Sequence, residues 1–392
     1  MMTGLKEYKL SEISNLKIHG RTTGCLEPLT LFWTGSGIEM NVSASELWVE
    51  LESDYEHHEP WIAITINGVI VSRQMIPIGR KWICVFRGMD KEVKKNIRIF
   101  KETQALNEDL KSRLQIHGVR SDGDFHKVED RPYKIEFIGD SITSGEGAVG
   151  DKVEEDWIMM WFSAIHNYTY MVAEEINADY RVVSQSGWGV YTGYDNNPNK
   201  SIPGIYEKIC GSLNSETYKS LGAHEDNDFQ AWQPDIVVVN LGTNDEGAFN
   251  NPEWKDEKTG KVHKQRKNED GSFNPEDLSK FENAVTDFLV KLRRYNPNAY
   301  IIWAYGMLGD GMLPAISRGV ENYRLQADDN KVFVLSLPNT TEETIGARYH
   351  PGVLSHERAA RTLVDFIKKT VPGTVPGTVP GTVPGTETEE RI

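Results

Sequence analysis

The pattern of hydrophobic and polar residues divides the chain into two parts with different predicted architectures. Up to about residue 128, short runs rich in β-branched and aromatic residues recur between turn residues. Asn67-Gly68, which separates two of these runs, is a strong hairpin signal. The regular spacing predicts an all-β sandwich with jelly-roll-like connections. Its predicted strands are Leu29–Trp33, Ile38–Val42, Glu46–Leu51, Trp61–Ile66, Val69–Val71, Trp82–Phe86 and Asn96–Phe100.

From Tyr133 onward, the pattern changes to strands that alternate with helices. Such alternation predicts an α/β fold with a parallel sheet and helices on both faces. Ligands of such sheets bind beyond the carboxyl ends of the strands, so residues that follow strands are candidates for a site. The predicted strands are Lys134–Ile138, Tyr180–Ser184, Asp235–Leu241, Tyr300–Ala304 and Lys331–Leu335, and the predicted helices include Tyr168–Asn177, Pro275–Tyr295, Met312–Asp328 and Ser355–Lys369.

A polar, turn-rich stretch from Asp122 to Pro132 marks the predicted boundary between the two parts. We therefore predict a β-sandwich domain over residues 1–130 and an α/β domain over residues 131–370, and we expect the two to pack on each other. Residues 371–392 begin with four Val-Pro-Gly-Thr repeats, which cannot build a core and predict a disordered tail.

Two segments of the second part allow two interpretations each. The charged insertion over residues 246–275 is either a solvated excursion or a flap on the substrate side. The apolar stretch from Trp157 to Phe162 either packs in the core or forms a wall of the cleft, because loops after the first strand of such a sheet line its rim.

Composition and charge narrow the range of partners. The chain has 392 residues, of which 39% are hydrophobic and 26% charged, as expected of a soluble globular protein. Its net charge of −15 argues against nucleic acid and against an anionic membrane surface. The N-terminus lacks the apolar core of a signal peptide, and no apolar run approaches about 18 residues, so we expect a cytoplasmic protein without a membrane partner. Association into a homo-oligomer stays open.

The cysteines argue against a metal site. Cys25, Cys84 and Cys210 are scattered, and the sequence has neither a CxxC motif nor clustered Cys and His residues. We therefore expect reduced, mostly buried thiols, with no metal and no other cofactor.

Ser141 is the first candidate for chemistry. It follows the predicted strand Lys134–Ile138, which Gly139 and Asp140 break. A serine at such a turn has an exposed hydroxyl and free backbone N–H groups close by, which a nucleophile and its oxyanion require. The alternative is that Ser141 merely caps a helix.

Three further residues follow strands or precede a helix, and we expect them near the same edge of the sheet. Gly187, in Ser-Gly-Trp-Gly, allows backbone N–H groups to point into a site, and Asn244 carries an amide that can donate to an oxyanion. Ordinary turns are the structural alternative for both. His350 lies just before the C-terminal helix and is the candidate general base, whereas His356 lies within that helix and is expected to be structural.

Taken together in this order, the four motifs resemble those of the SGNH, or GDSL-type, hydrolases, a class named for its Ser, Gly, Asn and His. The resemblance covers about residues 133 to 369, with matches at Gly139-Asp-Ser-Ile-Thr143, Gly187, Gly242-Thr-Asn-Asp245 and His350-Pro351. A jelly-roll-like domain ahead of such a module, together with Ser-Gly-Trp-Gly-Val, is similar to carbohydrate esterase family 2, whose members remove acetyl groups from xylan-type sugars.

The resemblance implies a flavodoxin-like, SGNH-type sheet and a metal-independent O-acetyl esterase. It implies Ser141 as the nucleophile, His350 as the base, and an oxyanion hole formed by the N–H groups of Ser141 and Gly187 with the Asn244 amide. An acetylated oligosaccharide is the implied substrate, and Trp188 is expected to stack on a sugar face.

One position departs from the pattern of the wider family. The aspartate that usually stands three residues before the histidine is replaced by Ala347. Some members of the esterase family look like Ser–His dyads steadied by a backbone carbonyl, and Glu342 or Glu343 folding back is the other candidate. Among the remaining motif residues, Asp140 and Asp245 are expected to hold loops together. Trp303 is expected to pack in the core.

Two other functions remain as alternatives. The same machinery would serve a lysophospholipase or thioesterase, which would prefer long acyl chains over acetyl. In the other alternative, the β-domain leads a sugar-binding protein whose esterase module is vestigial.

Overall fold

Antiparallel strands form the N-terminal part of the protein, whose computed structural model describes residues 4–13 and 15–374. These strands are β1 (Lys6–Lys9), β2 (Lys17–His19), β3 (Leu29–Thr30), β4 (Gly37–Ser43), β5 (Glu46–Asp54), β6 (Trp61–Ile66), β7 (Val69–Met75), β8 (Gly79–Arg87), β9 (Lys94–Lys101), β10 (Arg113–Ser121) and β11 (Asp124–His126). One sheet has the order β1-β10-β5-β8, with β3 beside β10. The other has the order β11-β4-β9-β6-β7, with β2 beside β4.

The two sheets share one apolar core, to which both contribute buried side chains. In β5, Leu47, Val49 and Leu51 are buried and alternate with partly exposed residues. The β6–β7 hairpin turns at Asn67 and Gly68, whose φ values of 51° and 80° are those that a two-residue turn requires. All predicted strands are present, although β3 is shorter than predicted, and β1, β2, β10 and β11 were not predicted. The β-rich first domain is therefore confirmed, and its jelly-roll connectivity stays a prediction.

A parallel sheet organises the second part. Its strands are β12 (Tyr133–Gly139), β13 (Ala178–Ser184), β14 (Ile236–Asn240), β17 (Tyr300–Gly306) and β18 (Val332–Leu337), and a separate small hairpin consists of β15 (Trp254–Lys255) and β16 (Val262–His263). The helices are α1 (Ser141–Ser144), α2 (Tyr168–Glu175), α3 (Glu216–Ser220), α4 (Thr243–Ala248), α5 (Pro275–Tyr295), α6 (Leu313–Ala327) and α7 (Val353–Thr370). The sheet order β13-β12-β14-β17-β18 is that of flavodoxin-like sheets.

Helices cover both faces of this sheet, as predicted. Alternate residues of β14 point to opposite faces, so that Val237 and Val239 pack with α5 and α6, while Ile236 and Val238 pack with α2 and α7. The predicted strands and helices of this part are confirmed with small shifts at their ends. Helix α5 begins as predicted, because the Asn274 side chain accepts the N–H groups of the first turn.

The two parts pack on each other, as expected. Trp33 of the β-domain donates its indole N–H to the carbonyl of Ile209 at 2.6 Å. The fully buried guanidinium of Arg21 pairs with Glu136 on β12 at 2.9 Å. Strand β11 still pairs with β4, so the connection between the parts starts within the predicted boundary stretch, after His126.

The first repeat of the predicted disordered tail is ordered. Val371 and Thr374 of the first Val-Pro-Gly-Thr repeat are buried, and the Thr374 hydroxyl donates to the Val371 carbonyl at 2.8 Å. This repeat therefore packs on the end of α7. The rest of the predicted tail, residues 375–392, lies outside the described residues. Within residues 4–13 and 15–374, no helix combines the length and the apolar character needed to cross a bilayer.

The insertion over residues 246–275 has a part exposed to solvent and a part next to the cleft, so each interpretation holds for one part of it. The β15–β16 hairpin and its turn are mostly exposed, as a solvated excursion would be. Asn251, at the start of the insertion, lines the cleft described below. Further along, the Gln265 N–H donates to the Asn196 side chain at 2.7 Å, which ties the segment to the loop after β13.

Candidate active site

Ser141 lies directly beyond the carboxyl end of β12, where the chain turns into the short helix α1. Asp140 caps this helix, since its Oδ1 accepts the Ile142 N–H at 3.0 Å. Ser141 is therefore the first residue of the helix and not its cap, which leaves its backbone N–H among the free donors of the first turn. The serine lines a cleft of about 570 Å³.

The imidazole of His350 faces this serine across the cleft. His350 Nε2 lies 3.0 Å from Ser141 Oγ, within the reach of a hydrogen bond. The two residues are 209 positions apart in the chain, and they meet because both follow the carboxyl side of the same sheet. His356, the other histidine considered, is fully buried on α7 and stacks on Tyr168. Its expected structural role agrees with this position.

A backbone carbonyl orients His350, in agreement with the dyad that the resemblance implies. Nδ1 lies 2.8 Å from the carbonyl oxygen of Arg348. An Nδ1–H that donates to this oxygen leaves Nε2 as the acceptor facing the serine. The folding back of Glu342 or Glu343 is wrong: Glu342 is exposed near Lys152, and the carboxylate of Glu343 accepts the Thr341 hydroxyl.

Gly187 and Asn244 line the same cleft as Ser141. Gly187 has a φ of 79°, a left-handed conformation that favours glycine. The amide nitrogen of Asn244 donates to the carbonyl of Trp188 at 2.9 Å and to Asp140 Oδ2 at 3.2 Å. The structure thus brings all four residues of the predicted constellation together.

Asp140 and Asp245 hold loops, as expected. The carboxylate of Asp245 accepts three backbone N–H groups, from Val190, Tyr191 and Thr192, at 2.8 to 3.0 Å. These bonds fix the loop that follows Gly187. Burial raises the pKa of Asp140 to about 7 and the pKa of Asp245 to about 6.

The predicted role of Trp188 is wrong. Its side chain is 4% exposed and packs in the core between the sheet and its helices, so it has no face to offer a sugar. A sequence pattern cannot tell on which side of a loop an indole lies. Trp157 lines the cleft instead. Met159 and Phe162 are buried, so the stretch from 157 to 162 forms part of the cleft wall and part of the core. Trp303 packs in the core, as expected.

Several residues of the cleft were not predicted. They are charged or aromatic and come from loops of both domains, namely Glu108, Glu146, Tyr194, Lys200 and Arg348. Glu108 belongs to the β-domain, whose Gln104 also accepts the Ser186 N–H at 2.8 Å beside Gly187. A charged residue between two glycines, as in Gly145-Glu-Gly147, was the one available sequence signal for Glu146.

The described residues contain no cluster of side chains suited to binding a metal ion. Within residues 4–13 and 15–374, no group of three or more His, Cys, Asp or Glu side chains is arranged to hold a metal ion.

The sheet order, the Ser141–His350 contact and the adjoining glycine and asparagine define a serine hydrolase of the SGNH type. The chain is similar to the acetyl xylan esterase Est2A from the rumen bacterium Butyrivibrio proteoclasticus, with 46% identity and a TM-score of 0.92 over 94% of this chain and 98% of that one. A family two carbohydrate esterase from Clostridium thermocellum, in complex with cellohexaose, shares the fold at 22% identity, with a TM-score of 0.74 over 90% of this chain and 98% of that one. The chain belongs to carbohydrate esterase family 2.

Curated relatives agree with this assignment. The cellulase/esterase CelE of Acetivibrio thermocellus is 25% identical over 344 residues, covering 86% of this chain and 37% of that protein. An acetylxylan esterase/glucomannan deacetylase of Cellvibrio japonicus is 24% identical over 240 residues, covering 60% of this chain and 56% of that protein. The chain thus spans between about a third and just over half of the length of these relatives. No family model matches the chain.

Proposed function

We propose that this protein is a serine esterase that removes O-acetyl groups from carbohydrates such as acetylated xylo-oligosaccharides. The observation that carries the proposal is the contact of 3.0 Å between His350 Nε2 and Ser141 Oγ inside a cleft. Such a pair is the minimal arrangement for nucleophilic catalysis by serine. The relative Est2A is named an acetyl xylan esterase, which makes acetylated xylan fragments the first substrate to test.

In the first half of the reaction, Ser141 Oγ attacks the acetyl carbonyl carbon while His350 Nε2 takes the hydroxyl proton. The N–H groups of Ser141 and Gly187 and the amide of Asn244 stabilise the oxyanion, and each such donor typically lowers the barrier by about 3 kcal/mol. To reach the oxyanion, Asn244 gives up the longer of its two bonds, the one of 3.2 Å to Asp140. The bond to the sugar oxygen then breaks, and His350 returns the proton to that oxygen.

In the second half, water attacks the acetyl group on Ser141. His350 takes a proton from this water and passes it to Ser141 Oγ as the ester bond to the enzyme breaks. The products are acetate and free enzyme. The hydrogen bond from Nδ1 to the Arg348 carbonyl keeps the imidazole in the same tautomer through both halves.

The lining of the cleft supports a sugar ester over a lipid. Glu108, Lys200 and Arg348 place charged groups around the serine, and these suit sugar hydroxyls better than a long acyl chain. Trp157 and Tyr194 add the aromatic surface that was predicted for Trp188. The alternative of a lysophospholipase or thioesterase has no such support.

The position of the β-domain also argues against a separate sugar-binding role. Gln104 holds the backbone of Ser186, and Glu108 lines the cleft itself. The β-domain is therefore part of the esterase site, and the description of the α/β domain as vestigial loses its basis.

The proposal is tested by measuring acetate release from acetylated xylo-oligosaccharides by the wild type and by Ser141→Ala. We expect release by the wild type and a loss of at least about a thousandfold in the variant, because the nucleophile is gone. 4-Nitrophenyl esters of increasing chain length provide the comparison between acyl groups. Equal rates for the two proteins would exclude Ser141 as the nucleophile. Faster hydrolysis of the long-chain 4-nitrophenyl esters than of 4-nitrophenyl acetate would favour the lysophospholipase or thioesterase alternative.

A further inference from the structure

Glu146 places a buried carboxylate next to the Ser141–His350 pair. Its side chain is 3% exposed, and its Oε1 lies 3.9 Å from His350 Nε2. Glu146 is on the same segment as the serine, and its backbone N–H donates to the Ser141 carbonyl at 3.0 Å. The carboxylate therefore belongs to the segment of the nucleophile and not to the histidine loop.

Both carboxylate oxygens of Glu146 have partners in the site. Oε1 accepts from Arg348 Nε at 2.9 Å. Oε2 accepts the Ser186 hydroxyl at 2.6 Å, next to the predicted oxyanion donor Gly187. One carboxylate thus links the segment of the nucleophile, the loop of the histidine and the loop of the oxyanion donor.

The link to Arg348 bears on the orientation of His350. Arg348 and Tyr349 have φ values of 55° and 57°, a left-handed conformation that residues with a Cβ rarely adopt. Arg348 is held there by the bond from its N–H to the Glu154 carbonyl at 2.7 Å and by the Glu146 carboxylate. This conformation aims the Arg348 carbonyl at His350 Nδ1.

We propose that Glu146 is a positioning residue that replaces the aspartate absent at position 347 in orienting and stabilising His350. It holds Arg348 so that the carbonyl orients His350, and its negative charge stabilises the imidazolium that forms when Ser141 is deprotonated. The inference rests on the proposed function, and it assigns the third group of the site to a residue outside the four motifs.

The charge of Glu146 agrees with this role. Burial acts to raise the pKa of Glu146, but the nearby imidazole of His350, the Ser186 hydroxyl and the Arg348 guanidinium outweigh it and lower this pKa, so the group is ionised at neutral pH. The other titratable or charged groups around the imidazole and this carboxylate are Glu108, Lys200 and Arg348 in the cleft, Asp140 before the serine, and His356 on α7.

A purely structural role makes a different prediction from an electrostatic one. A neutral amide at position 146 has nearly the same shape as the carboxylate and can still accept a hydrogen bond from Arg348. If Glu146 only holds the loop, Glu146→Gln therefore leaves the pH dependence of the reaction in place. If its charge supports the imidazolium, the pH dependence moves.

The test compares the pH profile of kcat/KM for the wild type, Glu146→Gln and Arg348→Met, with 4-nitrophenyl acetate as the substrate. Loss of the negative charge moves the acidic limb to lower pH by about one unit and lowers the plateau by about tenfold or more. Loss of the positive charge of Arg348 moves the limb to higher pH. Glu342→Gln, at an exposed carboxylate in the segment that precedes the histidine loop, is the matched control and leaves the profile unchanged.

A second readout does not depend on turnover. The titration of the His350 imidazole is followed by NMR, with His350→Asn to assign the signal, and its midpoint is expected to move in the same directions. If Glu146→Gln fails to fold, Arg348→Met, at a partly exposed side chain, decides alone. An unmoved midpoint and limb in the folded variants would overturn the inference. A wild type without Ser141-dependent hydrolysis would overturn the proposed function, while the imidazole titration would still decide on Glu146.

Discussion

At the scale of single residues, Asn244 is held at the cleft by hydrogen bonds to two loops. The Asn244 amide is fixed between the Trp188 carbonyl and the Asp140 carboxyl group. The bond to Trp188 keeps the amide at the cleft, while the longer bond to Asp140 is the one that the amide exchanges for the oxyanion in the proposed mechanism. In the proposed mechanism Asn244 therefore serves two purposes, since it ties two loops together and donates to the oxyanion.

Replacing Asn244 with alanine tests the role of its amide in the oxyanion hole. We expect Asn244→Ala to lower kcat by about 10² to 10³, with a smaller change in KM, because an oxyanion donor acts mainly in the transition state. Initial rates on 4-nitrophenyl acetate give both constants. Asn251→Ala, at another asparagine of the cleft, is the control and should retain most of the activity. A change confined to KM in Asn244→Ala would contradict the role in the oxyanion hole.

At the scale of elements, the site depends on loops that buried polar groups attach to helices and strands. Asp245, at the start of α4, accepts three N–H groups from the loop after Gly187. On the other side of the sheet, α7 follows the His350 loop and packs on α2. There the buried imidazole of His356 stacks on Tyr168, and its Nδ1 accepts the Tyr168 N–H at 3.3 Å.

This buried imidazole makes the fold sensitive to acid. Burial lowers the pKa of His356 to about 3, whereas an imidazole in the unfolded chain titrates near pH 6.5. Between these values the unfolded state binds the extra proton, so the free energy of unfolding falls as the pH falls, by at most about 1.4 kcal/mol per pH unit. Above about pH 7 the two states bind equal numbers of protons at this group, and its contribution to the pH dependence disappears.

We therefore expect His356→Gln to flatten the loss of stability between pH 7 and pH 4. Urea unfolding at several pH values gives the unfolding free energy, and its slope against pH measures this loss of stability. The substitution also costs some packing at every pH, so the slope and not the absolute stability is the result of interest. His57→Gln, at an exposed histidine, should keep the slope of the wild type. Equal slopes for all three proteins would exclude His356 as the source of the loss of stability at acidic pH.

At the scale of the whole molecule, the β-domain and the α/β domain share both an interface and a cleft. Arg21 is fully buried at this interface, where it pairs with Glu136 and lies over the ring of Tyr206. Lys101, also buried, donates to the carbonyl of Gln104, whose side chain holds Ser186 beside the cleft. The contacts between the two domains therefore extend from the buried interface to the rim of the cleft.

Breaking the buried ion pair at this interface should destabilise the molecule strongly. Arg21→Met keeps much of the side-chain volume but leaves the Glu136 carboxylate buried without its cation, which typically costs about 3 to 5 kcal/mol. Chemical denaturation measures the change. Arg87→Met removes a largely exposed partner of Glu46 and is expected to cost less than about 1 kcal/mol. Equal losses of unfolding free energy in the two variants would mean that the buried interface pair stabilises the protein no more than an exposed pair does.

Local patterns in the sequence determined most of the elements and the order of the four motifs. Helix α5 was predicted with its observed ends, since Asn274 and Pro275 are signals that act within a few residues. Strand β14 was evident as a buried apolar run. Strand β10 was not predicted, because Arg113–Ser121 contains charged residues and Gly118, and its pairing with β5 decides its conformation. The same dependence on pairing applies to the short strands β1, β2 and β11.

Only the tertiary structure decided which side chains meet in the cleft and which turn away from it. Glu146 and Arg348 are 202 positions apart, and no local pattern reports that they touch. Trp188 follows a predicted site glycine, yet its indole turns into the core. Ser141 and His350 stood out in the sequence because their chemistry is specific to their residue types. The carbonyl that orients the imidazole belongs to the backbone, which is chemically the same at every position, so only the fold could select it.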